Sequence, residues 1–226
     1  YGLGEGPVIF SFMLTAFLGL VAVIGYMSST EKKRDFVADN EDFMVYFRRL
    51  YRLFMITFIL FMGYMFFLTI SPVYLTEVTG SSSSMGLIML GSGIIHAVTA
   101  PSAGKLVDKY PREMAIRLSS VFVIMSMLTY SFTQNVILIV IVFTIPIYMT
   151  FFLGARAIVA DTVPYELRAR TMGLLSSFSL LGGGVGSISV GEILLHYNEQ
   201  EAFLLGAFLA FIAFLLSLKD FSHLRN

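Results

Sequence analysis

The sequence contains no cysteine and carries little charge for its length. Asp, Glu, Lys and Arg make up 13% of its 226 residues, whereas a soluble domain carries about 25%. Without cysteine there are no disulfides and no thiolate chemistry. The net charge is zero, so no basic field favours nucleic acid. The chain also lacks a nucleotide-binding loop and a metal-ligand motif, and we expect no cofactor and no metal.

Apolar residues are abundant in this chain. They make up 57% of it, and the mean hydropathy is +0.81. A helix that spans a bilayer needs about 20 mostly apolar residues. Stretches of this kind predict an all-α integral membrane protein, a multi-pass bundle of about seven transmembrane helices in contact with lipid. The predicted helices are 7–27, 52–75, 84–106, 113–132, 136–158, 171–195 and 202–219.

The basic residues fall on one side of this predicted bundle. When the loops are placed alternately on two sides, all 15 Lys and Arg lie in or beside the loops 28–51, 107–112 and 159–170 and the C-terminal tail. The other side receives glutamates and no basic residue. The positive-inside rule therefore predicts that the basic side is cytoplasmic. In a plasma or inner membrane, the N-terminus of the chain would lie outside the cell and the C-terminus inside.

The last six predicted helices form two consecutive sets of three, 52–132 and 136–219. Three is an odd number, so the second set must run through the membrane in the opposite sense to the first. Inverted three-helix repeats of this kind build many secondary transporters. The long polar segment 28–51 separates these six helices from the first one.

The loop after the third predicted helix carries a motif. Residues 104–113 have the sequence G-K-L-V-D-K-Y-P-R-E, which resembles the loop signature of the major facilitator superfamily, Gly-x-x-x-Asp-Arg/Lys-x-Gly-Arg/Lys-Arg/Lys. Pro111 stands where the family prefers Gly, and Glu113 stands where it prefers a base. The C-terminal copy of the signature is usually degraded in the family, which suits these departures. The matching residues are Gly104, Asp108, Lys109 and Arg112.

A second stretch, 156–173, looks like the connection between the tenth and eleventh helices of the same family. A glycine-rich segment follows it, as in the family's eleventh helix. The resemblance implies a bundle of the major facilitator type in which the chain represents helices six to twelve. The residues that carry this second likeness are Arg156, Asp161, Pro164, Arg168, Arg170 and Gly173.

The resemblance also implies an organisation and a function. Residues 1–27 would be the last helix of the N-terminal half, 28–51 the central cytoplasmic loop and 52–226 the C-terminal six-helix bundle. The first residue is Tyr1 and not Met, and we expect a fragment that lacks the first helices. Its partners would be a small-molecule substrate and the missing N-terminal half. The implied function is secondary transport by alternating access, with no enzymatic activity, and we expect no transport by this chain alone.

Loops of this kind latch the cytoplasmic helix ends of the family in one access state. Asp161 could form a gating ion pair with Arg168 or Arg156, and Gly104 could let the third helix end tightly. The alternative is ordinary surface charge that only sets the topology. The candidate gate residues are Gly104, Asp108, Lys109, Arg112, Arg156, Asp161, Arg168 and Arg170.

Polar side chains at membrane depth indicate a second candidate site. Ser92, His96 and Thr99 share one face of the third helix. An ionisable group at this depth usually faces a cavity or a partner, which favours substrate binding or proton coupling. The alternative is a neutral histidine bonded to a neighbouring helix, and Tyr or Thr side chains that only pack. The candidate path residues are Thr57, Tyr64, Ser92, His96, Thr99, Thr144, Tyr148 and Glu192.

Glycine spacing predicts close helix contacts at two places. Gly182 with Gly186, and Gly93 with Ala97, form small-x-x-x-small pairs. A seven-helix receptor or retinal protein is the alternative function, but a retinal protein needs a lysine inside its last helix, and Lys219 lies at the end of that helix. An intramembrane enzyme would need a catalytic group that the single central His96 does not provide.

Overall fold

The computed structural model of the protein describes the backbone of residues 40–219 and the side chains of residues 43–146 and 149–219. The predicted helix 7–27 and residues 28–39 of the predicted loop lie outside the described residues. The described part is all-helical and contains no strand. Its helices are α1 (Asn40–Thr79), α2 (Ser82–Lys109), α3 (Arg112–Phe132), α4 (Val136–Thr144), α5 (Ile147–Thr162), α6 (Tyr165–Leu194) and α7 (Glu199–Leu218).

Six stretches of the described residues are long and apolar enough to cross a membrane, because α4 and α5 together form one span, Val136–Thr162. They correspond to the last six predicted helices. The predicted starts at 52 and 171 are late, since α1 begins at Asn40 and α6 at Tyr165. Residues 40–51 are therefore helical. A charged residue marks where the apolar stretch ends, but the backbone hydrogen bonds of a helix continue beyond the bilayer.

Side-chain caps explain several helix starts. Asn198 forms a capping box with Glu201 at the start of α7, and each side chain accepts a hydrogen bond from the backbone of the other residue. The Asn135 side chain accepts bonds from the first amides of α4. Pro164 occupies the N-cap position of α6, where its missing N–H costs little.

The predicted single helix 136–158 is interrupted. In the structure α4 ends at Thr144, and α5 begins at Ile147. Pro146 lies in the gap and has no amide hydrogen, so the carbonyl of Val142 loses the hydrogen bond that a continuous helix would give it. The break lies about one-third of the way along the span.

The packing of the six spans follows the two predicted three-helix sets. Helix α1 packs mainly against α6 and α7, and the equivalent span α4–α5 packs against α2 and α3. If each span is replaced by the span with the same position in the other set, the contacts of α1 become those of α4–α5. The α3–α7 contact is converted into itself. This exchange is the relation expected of two inverted repeats.

Of the two predicted glycine contacts, one is present. A Cβ atom added to Gly182 or Gly186 would overlap the backbone of α1 at Phe58 or Met62, so α6 and α1 lie in close contact. The other prediction is wrong for the described part of the chain. A Cβ atom on Gly93 would meet no described heavy atom within 4 Å.

Candidate functional site

Arg112 connects three helix ends on the side of the bundle that carries the basic residues. Its Nη1 lies 3.0 Å from Asp108 Oδ1 at the end of α2, and its Nε lies 3.4 Å from Asp161 Oδ2 near the end of α5. The guanidinium also donates a hydrogen bond to the carbonyl of Val107. Because Arg112 is the first residue of α3, one side chain joins α2, α3 and α5.

The ion pair of Asp161 differs from the predicted one. Among the described residues Asp161 pairs with Arg112, and not with Arg168 or Arg156. The Nε of Arg168 instead donates to the carbonyl of Val163 at 3.0 Å, across the α5–α6 connection. Arg156 lies over the ring of Phe152, 5.5 Å from its centroid. Sequence spacing indicated charged residues in these loops but could not decide which of them form ion pairs.

The other candidate gate residues make separate contacts. Gly104 lies inside α2, which continues to Lys109, so the expected tight helix end at Gly104 is wrong. Lys109 is exposed, 5.7 Å from the ring centroid of Tyr110. The guanidinium of Arg170 lies 3.8 Å from the ring centroid of Phe43 and so connects α6 to α1. A gating role for these residues stays a prediction.

Two further arginines hold the end of α7. Arg117 of α3 donates to the carbonyls of Ser217 and Leu218, at 3.1 and 3.3 Å. Arg52 of α1 donates to the carbonyl of Lys219 at 2.7 Å. The last carbonyls of a helix lack partners within the helix and attract cations. Since α7 has no basic residue in its last turn, α1 and α3 supply the charge, which sequence reasoning missed.

A small cavity lies between both helix sets, beside the break in α4–α5. Its free volume is about 30 Å³, room for about one water molecule. Most of its wall is aromatic or aliphatic, and its ionisable groups are Tyr64 and His96. The lining residues are Tyr64, Phe67, His96, Phe122, Val123, Ser126, Val142, Phe143 and Ile145.

Ser92 connects His96 to the broken helix. Its Oγ lies 3.3 Å from His96 Nε2 and 3.4 Å from the carbonyl oxygen of Phe143, near the end of α4. Ser92 is buried, and His96 is half-buried. The predicted stripe on α2 therefore faces a neighbouring helix. The hydroxyl of Thr99 belongs to its own helix and donates to the carbonyl of Ile95 at 2.7 Å.

The remaining path candidates are scattered. Tyr64 lines the cavity. Thr57 is fully buried and donates to the carbonyl of Leu53 at 2.8 Å, and Thr144 donates in the same way to Val140 at 2.7 Å. Glu192 is exposed near the end of α6, away from the cavity. The side chain of Tyr148 lies outside the described residues.

Sequence reasoning missed the aromatic wall of the cavity. Phe67 stacks on Phe143 with ring centroids 5.9 Å apart, and it also contacts Tyr64 at 6.0 Å. Phe122 and Ser126 enter from α3. In a chain with 22 Phe, an aromatic residue by itself gives no signal, because an apolar ring suits lipid contact and core packing as well as a cavity wall.

Comparison with known proteins gives consistent matches. The family model of the Major Facilitator Superfamily matches residues 3–155 and, in a second overlapping match, residues 53–221. Multidrug resistance protein MdtG of Salmonella choleraesuis is 28% identical over 152 residues, which are 65% of this chain and 38% of that protein. The proteins of the same name from Salmonella arizonae and Salmonella newport are 27% identical over the same length. The chain thus matches 38% of the length of each of these relatives.

Proposed function

Because the chain belongs to the Major Facilitator Superfamily, we propose that it is part of a secondary transporter that moves a small molecule across a cell membrane by alternating access. The observation that carries this proposal is the cavity lined by both three-helix sets, next to a broken span. Transporter sites are typically built from discontinuous helices at the repeat interface. The family match favours transport over a receptor, a retinal protein or an enzyme.

The proposed substrates are apolar organic compounds with aromatic rings. Three relatives are named multidrug resistance proteins, and the cavity wall includes Tyr64, Phe67, Phe122 and Phe143. Aromatic walls bind ring-containing molecules through stacked and edge contacts worth about 0.5–1.5 kcal/mol each. The present volume holds only water, so substrate entry would require the helices around the break to separate.

A transport assay with two phenylalanine variants tests the substrate proposal. Phe122→Leu alters the cavity wall, and Phe208→Leu alters an exposed position of α7. In proteoliposomes that contain the complete transporter, Phe122→Leu should raise the KM for a hydrophobic aromatic dye about 2- to 10-fold. Phe208→Leu should leave the KM unchanged. Equal kinetics for both variants would remove this cavity from the substrate path.

We further propose that the Arg112 cluster lies on the cytoplasmic side, where it would act in the inner gate. The sequence places all 15 Lys and Arg in or beside loops that are predicted to share this side, which the positive-inside rule predicts to be cytoplasmic. The chain contains no cysteine, so a single introduced thiol reports one position. A membrane-impermeant maleimide should label Lys109→Cys only from the cytoplasmic side and Glu199→Cys only from outside. The reverse labelling pattern would invert the proposed orientation.

The chain is proposed to work with a preceding set of helices, the N-terminal half. Support comes from the greater length of its relatives and from α2, where Leu87, Leu90 and Val98 are each more than 60% exposed. The chain alone should show no substrate uptake in proteoliposomes, while the full-length protein should. Uptake by the chain alone would contradict this proposal.

A further inference from the structure

The break between α4 and α5 leaves one carbonyl dependent on another helix. In a continuous α-helix the carbonyl of Phe143 would accept a hydrogen bond from the amide of Ile147. Here α4 ends at Thr144, and α5 begins at Ile147. The Ser92 hydroxyl of α2 lies 3.4 Å from the Phe143 carbonyl oxygen. A single side-chain hydroxyl thus takes the place of a helical bond at the break.

Ser92 is shared between two partners. Its Oγ lies at almost equal distances from the Phe143 carbonyl oxygen and from His96 Nε2, 3.4 and 3.3 Å. A serine hydroxyl has one hydrogen to donate. When Nε2 carries no proton, it competes with the carbonyl for this hydrogen. When Nε2 is protonated it donates to Oγ, and the hydroxyl is left to donate to Phe143.

We propose that proton binding at His96 holds α2 to the open break between α4 and α5 through Ser92, and that proton loss lets the break close towards a proline-kinked continuous helix. The imidazolium always carries a hydrogen on Nε2, whereas neutral histidine does so in only one tautomer. The proton is exchanged with water, for which the adjacent cavity has room. Histidine is the side chain that ordinarily changes charge between pH 5 and 8.

Besides His96, the described side chains that line the cavity include one other ionisable group. Among the described side chains that line the cavity, α1 contributes the phenol Tyr64, and α3 and α4 contribute no ionisable group. Phenols stay neutral between pH 5 and 8. The proposal rests on the proposed function for its consequence, because closing the break would reshape the cavity. The switch itself can be measured without transport.

Isotope labelling can observe the Phe143 carbonyl directly. The sequence contains two Phe–Thr pairs, 132–133 and 143–144. Carbonyl-¹³C phenylalanine combined with ¹⁵N threonine therefore gives two selective NMR signals from this chain, and Phe132→Leu identifies the reference signal. In the full-length protein in lipid nanodiscs, the Phe143 signal should move downfield between pH 8 and pH 5, as its carbonyl gains a full hydrogen bond. The Phe132 signal should not follow.

Four variants separate the switch from a general effect of pH. The downfield shift should be lost in His96→Gln and in Ser92→Ala. It should be retained in Ser92→Thr, which keeps the hydroxyl, and in Thr99→Val, whose hydroxyl bonds within its own helix. In Ser92→Ala the ¹⁵N signals of His96 should still titrate. Unchanged ring contacts in the NMR spectra would confirm that each variant is folded.

The outcomes decide separately between the two proposals. A Phe143 signal that does not move between pH 8 and pH 5, or that moves equally in Ser92→Ala, would overturn the switch. A protein whose Phe143 signal switches but which transports no aromatic dye would retain the switch and lose the proposed function. A protein that transports the dye but whose Phe143 signal does not respond to pH would retain the proposed function and lose the switch.

Discussion

Helices α6 and α2 are the second spans of their three-helix sets, yet they are held in different ways. Gly182 and Gly186 bring α6 against the backbone of α1, whereas a Cβ on Gly86 or Gly93 of α2 would meet no described atom within 4 Å. In the most apolar stretch of α6 one-third of the residues are buried, whereas in that of α2 only 6% are. Small residues in a membrane helix therefore indicate a close contact only where a partner backbone arrives.

Helix α2 is held partly by polar contacts, besides the apolar contacts of Met85, Ile88 and Val107. Ser92 bonds to α4, and Asp108 bonds to Arg112 at the start of α3. Exposed ion pairs contribute little to stability, typically about 0–1 kcal/mol. Helix α6 thus belongs to a packed scaffold with α1, while α2 buries less of its apolar surface and adds a few polar bonds. This difference suits an element that moves against a fixed one, and three predictions test it.

The largest effect is expected from adding a methyl group to the packed glycine of α6. Gly182→Ala should lower the free energy of unfolding by about 1–3 kcal/mol, because the new Cβ overlaps the Phe58 backbone, which cannot rotate away. The matched change Gly93→Ala on α2 should be neutral or stabilising by up to about 1 kcal/mol, through helix propensity. Thermal unfolding in detergent measures both changes. Equal destabilisation by the two would erase the distinction between α6 and α2.

A smaller effect is expected at the end of α7, which packs against α1 and α3. Arg117→Gln removes charged donors from the carbonyls of Ser217 and Leu218. The free energy of unfolding should fall by about 1–2 kcal/mol. Arg156→Gln, which removes an exposed arginine over an aromatic ring, serves as the control and should cost less than about 1 kcal/mol. If Arg156→Gln lost as much stability as Arg117→Gln, the loss would come from removing an arginine charge and not from the end of α7.

The smallest effect is expected at the ion pairs of Arg112. Asp161→Asn should lower stability by less than about 1 kcal/mol. Asp108→Asn should lower it less, because the Asp108 side chain is 79% exposed and that of Asp161 is 48% exposed. At high salt the unfolding curve of each variant should approach that of the unchanged protein, because screening weakens the ion pairs. A salt-independent loss at Asp161 would point to packing and not to charge.

Much of the fold could be predicted from hydropathy and charge. Six of the seven predicted helices lie within the described residues, and each has an observed counterpart. Proline alone could not identify the break at Pro146, because proline interrupts some membrane helices and is tolerated in others: α1 continues through Pro72 and α2 through Pro101. Which of these outcomes occurs depends on whether neighbours satisfy the freed carbonyl. At the break, Ser92 does so for the next carbonyl, that of Phe143.

The candidate site could be predicted only in part. Tyr64 and His96 do line one cavity, and Ser92 contacts His96, because a polar stripe on a membrane helix must face protein or water. Thr57 and Thr144 satisfy their hydroxyls within their own helices. Short hydroxyl side chains always have this local option, so spacing alone could not separate them from cavity residues.

The sequence by itself determined how many spans follow residue 40, and it predicts that the loops on one side carry the basic residues. Both follow from local composition, since the hydropathy of a stretch and the charge of a loop do not depend on which helices pack together. The tertiary structure alone decided that Asp161 pairs with Arg112, that Gly182 and not Gly93 lies against a backbone, and that Ser92 reaches Phe143. These contacts depend on which helices are neighbours and on which of their residues lie at the same depth. The sequence of a single helix does not specify either.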